Sequence, residues 1–343
     1  MLRLALGYKS SEQPTVSVIG CGQAAFSTLC YYIYRRHGGV FLQCYDPDAK
    51  QATTLAEFYR FRAVSKSPKE LIENPELKTL IIASNHASHT QYAIAGLARG
   101  LDVFVEKPLC TSHDDFRALR KAVTNTKGAL FAGYNRPFAP AVLKIAEIIK
   151  GTKGPLTMHA VVHGHLLEAN HWYRDENEGT RVSGNMGHWI DLAVHLMYSR
   201  GQVPNQFQLS LHGSGPEIPK DDNVVLVISS EIGDLISVSL NARHEPFEGI
   251  REVIELQCGD FTAQIDDFRK LRWWQREKRG TVNYRPKDVG HRQTTLQPFN
   301  KGTPQRSWKE LELSTALMLE AADLARKGGG TAQFNRATLD LDI

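Results

Sequence analysis

From Thr15 onward, short apolar runs and longer mixed stretches take turns along the chain. Thr15–Ile19 reads as a strand; it gives way to Gly20-Cys-Gly-Gln-Ala-Ala25 and then to a helical pattern reaching about Arg36. The rhythm repeats as strand Val40–Tyr45 and helix Pro47–Arg60, strand Thr79–Ala83 and helix Thr90–Arg99, strand Val103–Val105 and helix His113–Thr124, then strand Ala129–Gly133. Runs such as Thr79-Leu-Ile-Ile-Ala83 lack a polar face, as parallel strands buried between helical layers do. Strands alternating with helices predict an α/β fold with a doubly wound parallel sheet, assigned to residues 1–137.

Beyond Lys153-Gly154-Pro155 the period changes. Leu156–His165 alternates apolar and polar, and Phe207–His212, Val224–Ser230, Leu235–Ala242 and Glu252–Gln257 are further strands with few helices between them. Breaks at Gly213–Pro219 and Glu245–Gly249 punctuate the pattern. This predicts a second α/β domain, residues 138–343, built on an open, mostly antiparallel sheet with one covered face. One helix around Gly184–Leu196 interrupts it, and Leu313–Lys327 reads as an amphipathic helix near the end.

A chain of 343 residues has room for these two domains. Its net charge of +4 implies neither a nucleic-acid nor a membrane partner. The basic run Arg269–Arg279, with paired tryptophans, reads as a solvated hairpin or interface strand. Five cysteines without CxxC spacing suggest no disulfide framework and no zinc site, which fits a reducing, cytoplasmic setting. Residues 1–14 read as a frayed leader, too short in apolar length for a signal peptide, and no later run approaches the ~20 apolar residues of a membrane span.

Candidate chemistry gathers where strands end. In a strand–turn–helix context, Gly20 permits a tight turn, Gly22 lets backbone approach a pyrophosphate, and Ala25 allows close helix packing, so a dinucleotide is expected with Gln23 and Ala24 at the helix start. Asp46 ends the next strand, where a carboxylate receives the adenosine ribose hydroxyls and repels a 2′-phosphate, favouring NAD; the alternative is that Asp46 only caps the following helix. Ser84, Asn85, His89, Glu106, Lys107, Tyr134 and Arg136 collect at the other strand ends. Pro108 holds Lys107 extended, so the lysine is aimed. On the helix of the second half, Asn185, His188, Asp191 and His195 share one side. A histidine with polar neighbours a turn away suits proton transfer; equally, Asp191 could satisfy a buried histidine in a core. No third ligand clusters with Asp191 and His195, so no metal site is predicted. His171 and Tyr173 lie in the loop Asn170–Arg174, whose aromatic and polar groups suit a sugar pocket, although Trp172 tucked into the core would look the same.

The order Gly20-x-Gly22-x-x-Ala25, Asp46, Glu106-Lys107-Pro108, Gly133-Tyr-Asn-Arg136 and His188-x-x-Asp191 resembles the Gfo/Idh/MocA family, the relatives of glucose-fructose oxidoreductase and inositol dehydrogenase, over roughly residues 15–327. The resemblance implies a Rossmann domain followed by an α/β domain whose open sheet forms a homodimer or homotetramer interface. It also implies NAD-dependent oxidation or reduction of a hydroxyl on a sugar, sugar nucleotide or cyclitol. Lys107 and His188 would be the catalytic pair, and Tyr134, Arg136, His171, Tyr173, Asn185 and Asp191 the substrate contacts. The cofactor would lie against Gly20, Gly22, Gln23, Ala24, Asp46, Ser84, Asn85, His89, Glu106 and Lys107. Gly184 and Asn185 depart from the commonest pattern and are closer to a branch with GExxHxxD, in which Asn185 replaces an acidic residue. Asp266-Asp267-Phe268 and Lys287-Asp288-Val-Gly290-His291 are similar to that branch, whose members often belong to surface-polysaccharide or sugar-nucleotide pathways. Two other activities fit the same cofactor: glycoside hydrolysis through transient oxidation at C3, and non-catalytic nucleotide sensing.

Overall fold

The computed structural model describes residues 13–215, 221–246, 249–300 and 306–341. The leader therefore lies almost wholly outside the described residues, as do parts of the breaks at Gly213–Pro219 and Glu245–Gly249. The chain forms two compact units: residues 1–109, 118–133 and 292–305, and residues 110–117, 134–291 and 306–343.

The first unit is a parallel sheet of β1 (Val16–Ile19), β2 (Phe41–Tyr45), β3 (Ala63–Val64), β4 (Thr79–Ile82), β5 (Asp102–Val105) and β6 (Leu130–Ala132). Among the described residues their order is β3-β2-β1-β4-β5-β6. Helices α1 (Cys30–His37), α2 (Ala49–Tyr59), α3 (Pro68–Glu73), α4 (His89–Ala98) and α5 (His113–Thr124) alternate with the strands. The sequence order reverses between β1 and β4, and at such a switch point the strands' carboxyl ends open a crevice. Strands β1, β4 and β5 are buried on both faces apart from Asp102, which is why they read as nearly unbroken apolar runs. The helix expected from Pro47 starts at Ala49, because Asp48 is the cap: its Oδ1 accepts from the amides of Lys50 at 2.9 Å and Gln51 at 3.4 Å.

The second unit begins with α6 (Pro140–Ile149), β7 (Leu156–His163) and α7 (Gly187–Arg200). Strands β8 (Gln206–Gly213), β9 (Val224–Ser230), β10 (Leu235–Asn241), β11 (Arg251–Cys258), β12 (Phe261–Asp266), β13 (Lys270–Gln275) and β14 (Lys278–Asn283) follow, then α8 (Trp308–Arg326) and β15 (Gly329–Asn335). The sheet order among the described residues is β14-β13-β12-β11-β7-β10-β9-β8-β15. All neighbours are antiparallel except β7 and β10. Leu156, Met158, Ala160 and Val162 of β7 face the core with residues of α6, α7 and α8, whereas His159 and Val161 face outward. The basic run forms the β13–β14 hairpin, with Arg272 bonded to Gln264 and Arg276 to Asp260. Strand β15 was not anticipated because it opens on glycine: Gly329 and Gly330 have φ of 126° and 128°, and a Cβ on Gly329 would stand 2.9 Å from the Leu211 carbonyl oxygen.

Among the described residues no helix is long and apolar enough to cross a membrane, and all five cysteines are buried and unbridged.

Candidate active site

In the first unit, β1 runs into Gly20, whose φ is 89°. A Cβ here would stand 2.3 Å from the Ala83 carbonyl carbon and Ser84 nitrogen, so the loop packs directly onto the end of β4 and tolerates only glycine. Gly22 differs, since a Cβ there would meet only the Gln51 side chain, at 3.7 Å; the space beside it is open to a ligand. The chain then turns into a π-wound segment, Ala25–Leu29, that continues into α1 and leaves Gln23 and Ala24 exposed at its start. Asp46 ties these parts together. Its Oδ2 accepts from the Cys21 amide at 2.7 Å and its Oδ1 from the Asp48 amide at 2.9 Å. Capping of α2 falls to Asp48, so Asp46 is fixed beside the glycine loop. These residues fit a dinucleotide: a cradle that a Cβ would fill, open space at the second glycine, and an oriented carboxylate at the neighbouring strand end.

At the ends of β4 and β5, Ser84 and Ser88 share a hydrogen bond at 2.7 Å, and the Ser88 hydroxyl also bonds Asn85 Oδ1 at 2.7 Å. His89 was expected to touch cofactor. It is wholly buried instead, with Nδ1 2.7 Å from the Pro108 carbonyl and Nε2 3.1 Å from that of Ser84. Both ring nitrogens face protein carbonyls, so His89 braces the loop after β4 against the segment after β5. In that segment Glu106 accepts from the Lys107 amide at 3.2 Å. Burial pushes the Glu106 carboxyl above its usual range, against the pull of Lys107's charge and amide. Gly133 makes room for it, since a Cβ there would lie 2.9 to 3.0 Å from Glu106 atoms. Lys107 is half-buried and followed by a cis bond to Pro108.

In the second unit, His188 lies in the first turn of α7, directly after a π-wound turn, Val182–Met186, that carries Gly184 and Asn185. Such turns re-aim side chains and often mark functional sites. The His188 ring packs edge-on against Tyr134 at 5.9 Å. Asn185 is half-buried, and its Oδ1 is enclosed without a hydrogen-bond partner among the described residues.

Three expected substrate contacts are interior residues. Arg136 bonds Glu252 through Nε at 3.2 Å and Nη2 at 3.0 Å, with its guanidinium 4.6 Å from the Trp189 ring centre. Trp189 donates to the same carboxylate at 2.8 Å. This is a packing knot, not an open subsite. Tyr134 is buried, its hydroxyl 3.5 Å from the Met318 sulfur. Asp191 has no exposed surface and accepts from Arg306 Nη1 at 2.7 Å. Burial pushes its carboxyl up while Arg306 opposes this. Arg306 also bonds Glu310 at 2.7 Å, and Glu310 contacts His195 Nδ1 at 2.7 Å. Burial disfavours Glu310's charge, but Arg306 and His195 outweigh it and bring the carboxyl down to about 2. His195 therefore belongs to an ion-pair network.

His171 and Tyr173 retain partial exposure, and Trp172 is exposed rather than tucked inside. The His171 Nδ1 accepts from the Tyr173 amide at 3.2 Å, while burial and the charges of Arg174 and Arg181 lower its pKa. Glu252 was missed, although a charge on the inward face of a strand that continues as Ile254 and Leu256 signals a buried partner. Arg306 had no signal of that kind. Among the described residues no group of three or more His, Cys, Asp or Glu side chains is placed to hold a metal ion.

Comparison with known proteins bears on both units. Residues 15–134 match the family described as "Oxidoreductase family, NAD-binding Rossmann fold". The inositol 2-dehydrogenase of Acidothermus cellulolyticus is 30% identical over 125 residues, 36% of this chain and 37% of that protein. Inositol 2-dehydrogenase 2 of Saccharopolyspora erythraea is 24% identical over 229 residues, 66% of each. The chain thus spans between about a third and two thirds of the length of these curated relatives. The crystal structure of GenD2 from gentamicin A biosynthesis in complex with NAD superposes with a TM-score of 0.77 at 18% identity, covering 96% of this chain and 99% of that one, so the fold is shared nearly end to end. The glycine loop, Asp46 and the Glu106-Lys107-Pro108 strand end all lie inside the matched segment, so residues 15–134 are similar to the NAD-binding Rossmann domain of the Gfo/Idh/MocA oxidoreductases.

Proposed function

We propose that this protein is an NAD-dependent oxidoreductase acting on a hydroxyl of a cyclitol, sugar or sugar nucleotide. The observation that carries the reading is the junction of Gly20, the end of β4 and Asp46, which fits a dinucleotide. The names of the relatives, inositol 2-dehydrogenases among them, support the substrate class. Bound NAD supplies the hydride acceptor. Lys107, at the end of β5, stabilises the oxygen as it loses its proton, an electrostatic role worth ~10²–10³ in rate. His188 takes that proton in oxidation and returns it in reduction. Asn185, His171 and Tyr173 remain as substrate contacts, whereas Tyr134, Arg136 and Asp191 hold the surrounding structure. Asp46 selects NAD over NADP by repelling a 2′-phosphate.

The outward sheet face, where Val161, Val225, Leu235 and Trp274 are exposed, is the surface we assign to a second copy of the chain, giving a homodimer or homotetramer. Five reduced cysteines accord with a cytoplasmic setting. The test is NADH formation at 340 nm across a panel of inositols, aldoses and sugar nucleotides. Lys107→Ala and His188→Ala should bind NADH as wild type does while losing at least ~10²-fold in turnover; full turnover in both variants would overturn the assignment. Net hydrolysis without NADH release would point to the glycosidase chemistry instead.

A further inference from the structure

Between β7 and the π-wound turn Val182–Met186 runs the segment that carries His171 and Tyr173. Its regular structure among the described residues is two single turns, Trp172–Arg174 and Glu176–Glu178. Backbone groups in so irregular a stretch need partners from elsewhere to hold one conformation.

Those partners meet at one carboxylate. Asp222, buried just ahead of β9, accepts from Arg174 Nη1 and Nη2, both at 2.9 Å, and from Arg181 Nη1 at 3.3 Å. Each guanidinium also reaches back to carbonyls in the first half of the segment: Arg174 donates to Leu167 at 2.8 Å and Glu168 at 3.4 Å, and Arg181 to His165 at 2.8 Å. Neighbouring Asp221 accepts from the Arg181 amide at 2.7 Å. The Arg174, Arg181 and Asp222 side chains are 15%, 1% and 9% exposed, so water competes little for these bonds.

Placement gives the cluster its meaning. His171 and Tyr173 sit just before Arg174, while Arg181 directly precedes the π-wound turn that carries Asn185 and leads into His188. One carboxylate therefore fixes both places from which His171, Tyr173 and Asn185 project. Their hydrogen-bonding roles are set as well. His171 Nδ1 accepts from the Tyr173 amide, which leaves Nε2 as the donor of the neutral ring, and the enclosed Asn185 Oδ1 is an acceptor without a partner among the described residues. A hydroxyl-bearing substrate engages both roles.

We propose that Asp222, acting through Arg174 and Arg181, is the positioning residue of the substrate pocket, holding His171, Tyr173 and Asn185 where the hydroxyls of a cyclitol or sugar meet them. The inference rests on the oxidoreductase reading for its substrate and extends it to residues that do not touch that substrate.

Hydrogen-exchange mass spectrometry of the full chain, read beside turnover with saturating NAD across inositols, aldoses and sugar nucleotides, tests it. In Asp222→Asn the amides of residues 166–181 should exchange at least about tenfold faster. KM for the compound that the wild type oxidises should rise about tenfold or more and by more than kcat falls, with NADH affinity unchanged. Since the asparagine leaves buried Arg181 without a counter-charge and can cost the fold, Arg174→Lys is measured alongside. There Asp222 keeps Arg181 and position 174 keeps its charge, but one ammonium cannot span a carboxylate and two carbonyls, so faster exchange and a raised KM are again expected. Unchanged exchange in both variants overturns the clamp. Faster exchange with an unchanged KM makes the cluster a structural brace and overturns its role toward substrate, leaving the oxidoreductase reading intact. A wild type that binds NADH yet oxidises nothing in the panel overturns that reading and this role together.

Discussion

Replacing Glu252 by Gln separates a structural Arg136 from a substrate-binding one. The carboxylate accepts two bonds from Arg136 and one from the Trp189 indole, and the Arg136 and Glu252 side chains are 6% and 1% exposed. The amide removes the charge and turns one acceptor into a donor facing donors. Breaking a buried pair by removing one partner costs about 3–5 kcal/mol. For a unit of about 200 residues each kcal/mol lowers Tm by about 2–4 °C, so a fall of roughly 6–20 °C is expected by scanning calorimetry. NADH affinity should be unchanged, because the residues assigned to it lie in the other unit. A double variant, Arg136→Met with Glu252→Leu, should recover part of the loss, since an apolar pair of similar volume carries no charge-desolvation cost while the Trp189 indole loses its acceptor. A Glu252→Gln variant that melts within about 2 °C of wild type but shows a raised KM would refute the reasoning and return Arg136 to the substrate.

Two further outcomes follow from named contacts. Gly20→Ala puts a methyl 2.3 Å from the end of β4 at a φ of 89°, adding about 1–2 kcal/mol of backbone strain to the clash; NADH affinity should fall at least about tenfold, and wild-type affinity would contradict the packing. Glu310 is lowered from 4.5 to about 2 in the folded chain, so its contribution is complete above pH 4.5 and is lost as pH falls toward 2. That shift corresponds to about 3 kcal/mol, so urea unfolding should weaken steeply across this window and Glu310→Gln should flatten the slope. Asp191, pushed up by burial, acts in the opposite sense as pH rises, and an unchanged slope in the variant would assign the acid limb to other carboxylates.

The Rossmann unit was legible because its signals are local. A strand, two glycines and a carboxylate at the next strand end all fall within thirty-one residues, Val16 to Asp46, and each position is dictated by backbone geometry. Even there the sequence left Asp46 open to two roles, ribose carboxylate or helix cap, and only the observed bonds give the cap to Asp48. What escaped depended on distant partners. Arg136 ends a strand whose neighbours suggest a ligand, and its carboxylate lies 116 residues away; Asp191 and Arg306 are 115 residues apart. A charge read without its partner looks like a site. The π-turn before α7 was equally hidden, since Val182–Met186 carries no pattern that distinguishes π from α winding.

The most direct test of the account is a fluorescence titration of the wild-type chain with NADH and NADPH under identical conditions. Saturable NADH binding with NADPH at least about tenfold weaker is the expected result, because in the role proposed for it Asp46 faces the adenosine ribose and repels a 2′-phosphate. Binding of neither nucleotide would contradict the assignment of Gly20, Gly22 and Asp46, and with it the oxidoreductase reading of the chain.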